Sequence, residues 1–572
     1  MQMKKKLTVA VVILVILAVF AAAGLLIFRK FAPSFTQKPM SEQYKLGKDE
    51  VLLIINGKTA EEKGKIINDK NYVPVSVATE RMNERIYWDA KENILSLATS
   101  NGLITVGAGE GVDSAVYTIG KETVNADSQV IYQDGDTAYI DMDFVNEYSR
   151  INYEAKKDPN RIVVQSDFEA MNTFAVLADD VRLRVGPNKK YDYLLELEKG
   201  QEVLIDTDAP PENEYQKIWT LDGIEGYVPE EYLTEKTEKS WQTEKQEDKF
   251  PQLGGQQNIC LGWHQMTSVV GSAELDLKVS QAGSLNVISP TWFGLSDNKG
   301  NFTSLASSEY VTAAHAKGLK VWGLVNDFNS KISLKKILGR TSIRTNLINN
   351  LVTTAIRYDL DGINIDFEKI TKQTAPAYME FLRELVLRCH ANDIVVSVDD
   401  YLPTESSAFY NWAEQGRVVD YVIFMAYDEH YAGSKESGSV SSLPFVEAGV
   451  ELGLKYIDSS RVVVALPFYT RLWRETKRGD GVDVSSSAYG MSSAESVLQS
   501  NGVAAKWDDA TSQYYAEFKA EGSTYKIWLE EETSLEKKLE TVFAKNGAGV
   551  AFWKLGFERP VTWTTIAKYV QK

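Results

Sequence analysis

The chain has 572 residues, 44% hydrophobic and 25% charged, so it can bury more than one core and reads as several globular domains rather than a disordered polymer. A formal net charge of -17 repels phosphate backbones and excludes nucleic acid as a partner. With four His and two Cys, Cys260 and Cys389 read as small buried hydrophobes, and neither a disulfide framework, a metal site nor a cofactor is expected.

At the N-terminus, Lys4, Lys5 and Lys6 precede an uncharged run from Leu7 to Phe28. As a helix this run is about 33 Å long, enough for a hydrocarbon layer of roughly 30 Å. Residues 1–6 then form a cytoplasmic tail and 7–28 a transmembrane anchor, giving a single-pass cell-membrane protein whose bulk is extracellular. The alternative is a signal peptide cleaved after Ala21-Ala22-Ala23, which leaves a secreted or wall-associated protein.

Residues 46–166 contain an internal echo. Tyr72-Val73-Pro74-Val75 leads to Ile86-Tyr87-Trp88-Asp89, and Tyr139-Ile140-Asp141-Met142 leads to Ile151-Asn152-Tyr153-Glu154, so each copy reads as extended segment, short helix, hairpin. The segment resembles the small α+β domain at the N-terminus of copper amine oxidases. No His cluster accompanies it, so the resemblance implies a spacer or wall-facing module and no copper. Residues 172–235 change to short strands between turn residues, such as Val181–Pro187 and Gly226–Pro229, and resemble a bacterial SH3-like barrel. That resemblance implies either wall-peptide binding or a rigid spacer. Residues 236–255, rich in Lys, Glu and Gln, read as a solvated linker.

From 256 to 572 apolar strands alternate with amphipathic helical segments. The strands are Ile259 to Trp263, Leu285 to Ile288, Lys320 to Val325, Gly362 to Phe367, Ile394 to Val398, Tyr421 to Ala426, Val462 to Leu466 and Gly549 to Trp553. Eight such units predict a (β/α)8 barrel whose site lies at the carboxyl ends of the strands. The stretch of about 474–545 exceeds what one βα unit needs and is expected to hold a small α+β insertion.

The fourth strand carries the chemistry. In Asp361-Gly362-Ile363-Asn364-Ile365-Asp366-Phe367-Glu368, period two puts Ile363, Ile365 and Phe367 on one face and Asn364, Asp366 and Glu368 on the other. Neighbouring same-face carboxyls lie about 6 to 7 Å apart along a strand. Crowding splits their pKa values, leaving an acid beside a carboxylate, the equipment that protonates a leaving oxygen. Other strand ends add Met425, Tyr427 and Asp428, then Tyr469 and Arg471, then Trp553, whose indole offers a flat face to a pyranose. Trp263, Trp292 and Trp322 also end or follow strands, and core and subsite readings both stand for them.

Asp361, Asp366 and Glu368 match the DxxDxDxE signature of glycoside hydrolase family 18, which this stretch resembles, with Asn364 in place of the second Asp of the triad. The resemblance implies a glycosidase acting beside N-acetylglucosamine. Glu368 would be the general acid, Asp366 would hold the acetamido N–H, Tyr427 the acetamido oxygen, and Asp361 and Asn364 would tune Asp366 from below. Met425, Asp428, Tyr469, Arg471, Trp553, Trp263 and Trp292 are the expected substrate contacts. The form of the motif looks closest to the spore-cortex and wall branch, which points to peptidoglycan. Chitin, N-glycans and a lectin-like wall protein without turnover are the alternatives.

Overall fold

The computed structural model describes residues 9–21, 24, 32–109, 111–255 and 258–570. Residues 9–21 are helical, but the expected 7–28 anchor runs into residues outside those described. Among the described residues no helix is long and apolar enough to cross a membrane. The chain divides into two compact units, residues 1–86, 106–117 and 123–248, and residues 87–105, 118–122 and 249–572.

The first unit holds two seven-stranded sheets. In one, the two copies of the internal echo are neighbouring strands: Val73 and Tyr72 pair antiparallel with Ile140 and Asp141. Each strand runs directly into a short helix, Val75–Arg81 or Met142–Tyr148. The Asp141 carboxylate caps the second helix by accepting the Asp143 N–H, an arrangement worth about 1 kcal/mol. The other sheet is antiparallel, runs between Asn172 and Lys239, and encloses its own core of Leu183, Leu194, Val203, Ile218 and Val228.

The second unit is a barrel of eight parallel strands: β1 (Ile259–His264), β2 (Val287–Pro290), β3 (Lys320–Asn326), β4 (Gly362–Asp366), β5 (Val395–Tyr401), β6 (Tyr421–Met425), β7 (Val462–Pro467) and β8 (Gly549–Trp553). It closes because β1 pairs with both β2 and β8. The helices that cover it are α1 (Leu275–Val279), α2 (Ser308–Ala316), α3 (Thr341–Tyr358), α4 (Ala375–His390), α5 (Trp412–Val418), α6 (Leu443–Gly453), α7 (Glu532–Ala544) and α8 (Thr562–Ile566), with a further short helix, Leu334–Leu338, between β3 and α3. Leu261, Trp322, Leu324, Tyr421, Ile423 and Ala551 fill the barrel interior. Ile363, Ile365 and Phe367 pack outward into the helix layer, where Phe367 stacks on Phe381 of α4 with ring centroids 5.7 Å apart. Truncating a buried Phe of this kind costs roughly 3–5 kcal/mol. With the apolar side of β4 fixed outward, Asn364 and Asp366 are held inside the barrel.

Three boundaries differ from the sequence reading, the first being that the strand Leu233–Lys239 carries the all-β sheet into the expected 236–255 linker. Residues 87–105 group with the barrel rather than with the N-terminal module. The cause is local: α3 has no side-chain cap from its own N-cap residue, and the Asp89 carboxylate accepts the Thr341 N–H at 2.7 Å while Glu92 accepts the Ser342 N–H at 2.8 Å. The insertion begins at Tyr469 and ends at Leu529, a five-stranded antiparallel sheet with the helix Met491–Ser500. The segment Glu532–Ala544, expected within it, is α7, whose Leu535, Leu539 and Val542 are buried in the barrel's helix layer.

Candidate active site

A cleft of about 320 Å3 opens at the carboxyl ends of the strands. Its lining brings together Asp366, Glu368, Met425, Tyr427, Asp428, Tyr469, Trp553 and Trp263, all singled out in the sequence, with Asp399, Asn326, Phe328 and Gln265, which were not. Each arrives by strand geometry. Asp366 ends β4, Met425 ends β6, Trp553 ends β8, and Tyr469 opens the insertion directly after β7. Tyr469 donates its hydroxyl to Asp428, and Trp553 meets Trp263 edge-on with centroids 6.0 Å apart.

The electrostatics favour protonated carboxyls. Asp366 is only 6% exposed, and burial first, then the charges of Asp399, Glu368 and Asp327, push its pKa well above the usual range. Burial also raises Glu368, with Asp327 and Asp428 adding to it. Opposing this, the Tyr401 hydroxyl donates to Glu368 Oε2 at 2.6 Å and favours the carboxylate. Asp327, fully buried at the end of β3, accepts the backbone N–H groups of Glu368 and Lys369 at 3.2 and 3.0 Å and so fixes the chain that carries the acid. Burial holds the Tyr427 phenol far above its ordinary pKa, so it is a neutral donor.

Several expected residues lie elsewhere. Asp361 sits at the opposite end of β4, where its carboxylate accepts from Val321 N–H and from His315 and Lys320, each at 2.8 Å. It cannot tune Asp366. Burial pushes its pKa up, yet Lys320, the Val321 N–H and His315 outweigh that and hold it below the usual range. Trp292 is fully buried against Tyr310 of α2, ring centroids 5.1 Å apart, and does not line the cleft. Arg471 lies on the insertion sheet and donates to Ser486 at 3.1 Å, also outside the lining. Trp322 stacks on Tyr421 in the barrel interior and is core. Asn364 lies beneath Asp366, fully buried. Asp399 and Tyr401 were missed, although Ser397, Asp399 and Tyr401 alternate with Val396 and Val398 by the same period of two that exposed the acids of β4.

Residues 238–558, more than half of the chain, match glycosyl hydrolases family 18. The chain belongs to that family. It is therefore a glycosidase of family 18 type, and residues 49–164 match the copper amine oxidase N-terminal domain. That segment contains no His or Cys, and among the described residues no group of three or more His, Cys, Asp or Glu is arranged to hold a metal ion. An uncharacterized glycosylase of Bacillus subtilis is 23% identical over 50% of this chain and 84% of its own. The cortical fragment-lytic enzyme of the same organism is 25% identical over 40% of this chain, which spans about half, 54%, of that relative's length. The spore cortex-lytic enzyme of Bacillus megaterium superposes with a TM-score of 0.50 at 21% identity, over 55% of this chain and 74% of that one, a likeness of fold.

Proposed function

We propose that this family 18 barrel cleaves β-1,4 bonds next to N-acetylglucosamine in peptidoglycan, with retention, using the substrate's own 2-acetamido group as the nucleophile. The observation that carries the reading is the meeting of Asp366, Glu368, Tyr427 and Trp553 in one cleft, with both carboxyls pushed toward protonation by burial. Trp553 supplies a flat apolar face for a sugar ring. Glu368 protonates the glycosidic oxygen as the acetamido oxygen attacks C1, and later takes a proton from the incoming water. Asp366, once ionised, accepts the acetamido N–H and offsets the positive charge of the cyclic intermediate, while Tyr427 donates to the acetamido oxygen. Conventional retaining glycosidases place a second carboxylate as nucleophile, and substrate assistance is the recognised exception.

The cortical fragment-lytic relative supports peptidoglycan as substrate. In the same reading residues 7–28 tether the enzyme outside the cell membrane, where its own wall is the first glycan within reach, and the all-β module at 172–235 serves as an SH3-like wall contact or spacer. Digestion of purified peptidoglycan, with chitin oligosaccharides and N-glycans in parallel, followed by mass spectrometry of the products, tests the substrate. Binding without any product in all three sinks the enzyme reading in favour of a lectin. A thiazoline analogue of the cyclic intermediate should inhibit competitively, commonly 10² or more tighter than substrate. Equal cleavage of deacetylated and acetylated chains, or a covalent sugar adduct on Asp366 or Glu368, refutes substrate assistance.

A further inference from the structure

The motif's Asn364 leaves its strand without one carboxyl, and the neighbouring strand supplies one. The β4–β5 register pairs Asn364 with Ser397 and Ile365 with Val398, so Asp366 and Asp399 are the next pair along, on strands about 4.8 Å apart. Both side chains line the cleft and both are buried. Asn364 is locked in one orientation: Trp263 Nε1, which only donates, gives its hydrogen to Asn364 Oδ1 at 3.0 Å, and Ser289 does the same at 3.0 Å. The amide nitrogen therefore faces the other way, donating to Ser397 Oγ at 3.0 Å and to Asp399 Oδ1 at 2.7 Å. An amide so placed aims Asp399 but cannot take up a proton. Asp366 Oδ1, also buried, has no hydrogen-bond partner among the described residues.

We propose that Asp399 is a positioning residue that shares one proton with Asp366 and takes it up when Asp366 must become anionic, replacing the carboxyl absent at position 364. The inference rests on the N-acetyl-directed reading above. In the resting pair Asp366 carries the proton and Asp399 is the carboxylate. As the acetamido N–H arrives, the Asp366 O–H bond breaks, the proton passes to a carboxylate oxygen of Asp399, and Asp366 accepts the N–H. The charge of the pair stays constant, the proton returns after hydrolysis, and no further reactant is needed. The surroundings favour a single shared proton. Asp327 faces the pair from the end of β3, Glu368 from just past β4, Tyr401 from β5, Tyr427 from beyond β6, Tyr378 from α4 and Tyr410 from the turn before α5, while Asp428 acts on Glu368 and Tyr427. Lys369 gives its ammonium to the Asp327 and Asn329 carbonyls. Asp400, next along β5, lies on the opposite face of the strand, where burial raises it to about 8. Asp399 itself is pushed well up by burial, with Asp400 and Glu368 adding and the Asn364 donation opposing. Two carboxyls in such a site titrate as a pair with separated steps.

The test is Asp399→Asn, which keeps shape and removes the acceptor of the proton. On N-acetylated oligosaccharide its kcat should fall about 10²-fold or more with KM little changed. The acid limb of the kcat profile should move to higher pH, because a lone carboxyl ionises less readily than a pair that can share the remaining proton. The exchange Asn364→Asp with Asp399→Asn keeps the 364–399 hydrogen bond with its polarity reversed, and should recover most of the loss and return the acid limb. A D399N profile that superimposes on the wild type, or an exchange variant no better than D399N while circular dichroism shows both folded, overturns the proposal. A second measurement needs no turnover. In substrate-free protein the infrared carboxyl band that Asp366→Asn removes should persist to higher pH in the wild type than in D399N, and coincident midpoints overturn the sharing. If the wild type cleaves no N-acetylated glycan, the proposed function fails while this titration still decides whether the proton is shared.

Discussion

The two ends of β4 put the same chemistry in opposite environments. At its start, Asp361 is ringed by donors, Lys320, His315 and the Val321 N–H, and is held as a carboxylate. At its finish, Asp366 and Glu368 are crowded by other acids, Asp399, Asp327 and Asp428, and are pushed toward the neutral form. One short strand thus separates an acid that ties β3 and β4 together from acids that can give up or exchange protons. The contrast follows the division of a (β/α)8 barrel into a stabilising face and a reactive one. It also shows that membership in a motif does not assign a role, because the neighbours of each carboxyl do.

That contrast can be broken at either end. The largest effect belongs to Glu368→Gln: turnover of N-acetylated glycan should fall 10²- to 10⁴-fold with Tm unchanged, and near-wild-type activity removes Glu368 from its role. Asp361→Asn should do the reverse, costing about 1–3 kcal/mol of stability by calorimetry while leaving kcat per folded molecule intact. Because the Asp361 pKa is depressed in the fold, its contribution is present above the unfolded value of about 3.9 and is lost as pH falls through the folded one, so wild type and D361N should converge in acid. Asp366→Asn should raise stability at neutral pH, on the order of 1 kcal/mol, while abolishing efficient turnover. Here the folded pKa is raised, so the carboxyl's cost grows as pH climbs from the unfolded value toward the folded one, and the advantage of D366N should vanish near pH 4. The smallest effect is that of Tyr401→Phe. Losing its donation to Glu368 raises the pKa of the acid further, and the alkaline limb of kcat should move to higher pH. A move to lower pH contradicts the role given to the hydroxyl.

The barrel and the core of its site were legible because β4 writes its two faces alternately, Ile-x-Ile-x-Phe against Asn-x-Asp-x-Glu. The same parity places Asp361 with Ile363 rather than with Asp366, a signal that a motif read as one unit hides. Asp399 and Tyr401 escaped notice because their importance comes from closure: the Tyr401–Glu368 bond joins residues 33 positions apart, and nothing near Tyr401 in the chain contains Glu368. Trp292 shows the converse. A Trp just past a strand end suits a sugar platform, but its ring turns down onto Tyr310, and local sequence does not specify that choice. Arg471 was placed near the cleft correctly by strand order and wrongly by side chain, because its strand continues into the insertion sheet, where Ser486 takes its guanidinium.

The caps on α3 also bear on how the barrel comes into being. Asp89 and Thr341, joined at 2.7 Å, lie 252 positions apart. At about 5–20 residues per second, a ribosome adds the helix tens of seconds after the acids that cap it. The hairpin must therefore stay accessible through most of synthesis, and a shortened gene that starts the barrel at residue 249 would encode a third helix with its first N–H groups bare and its early partner missing.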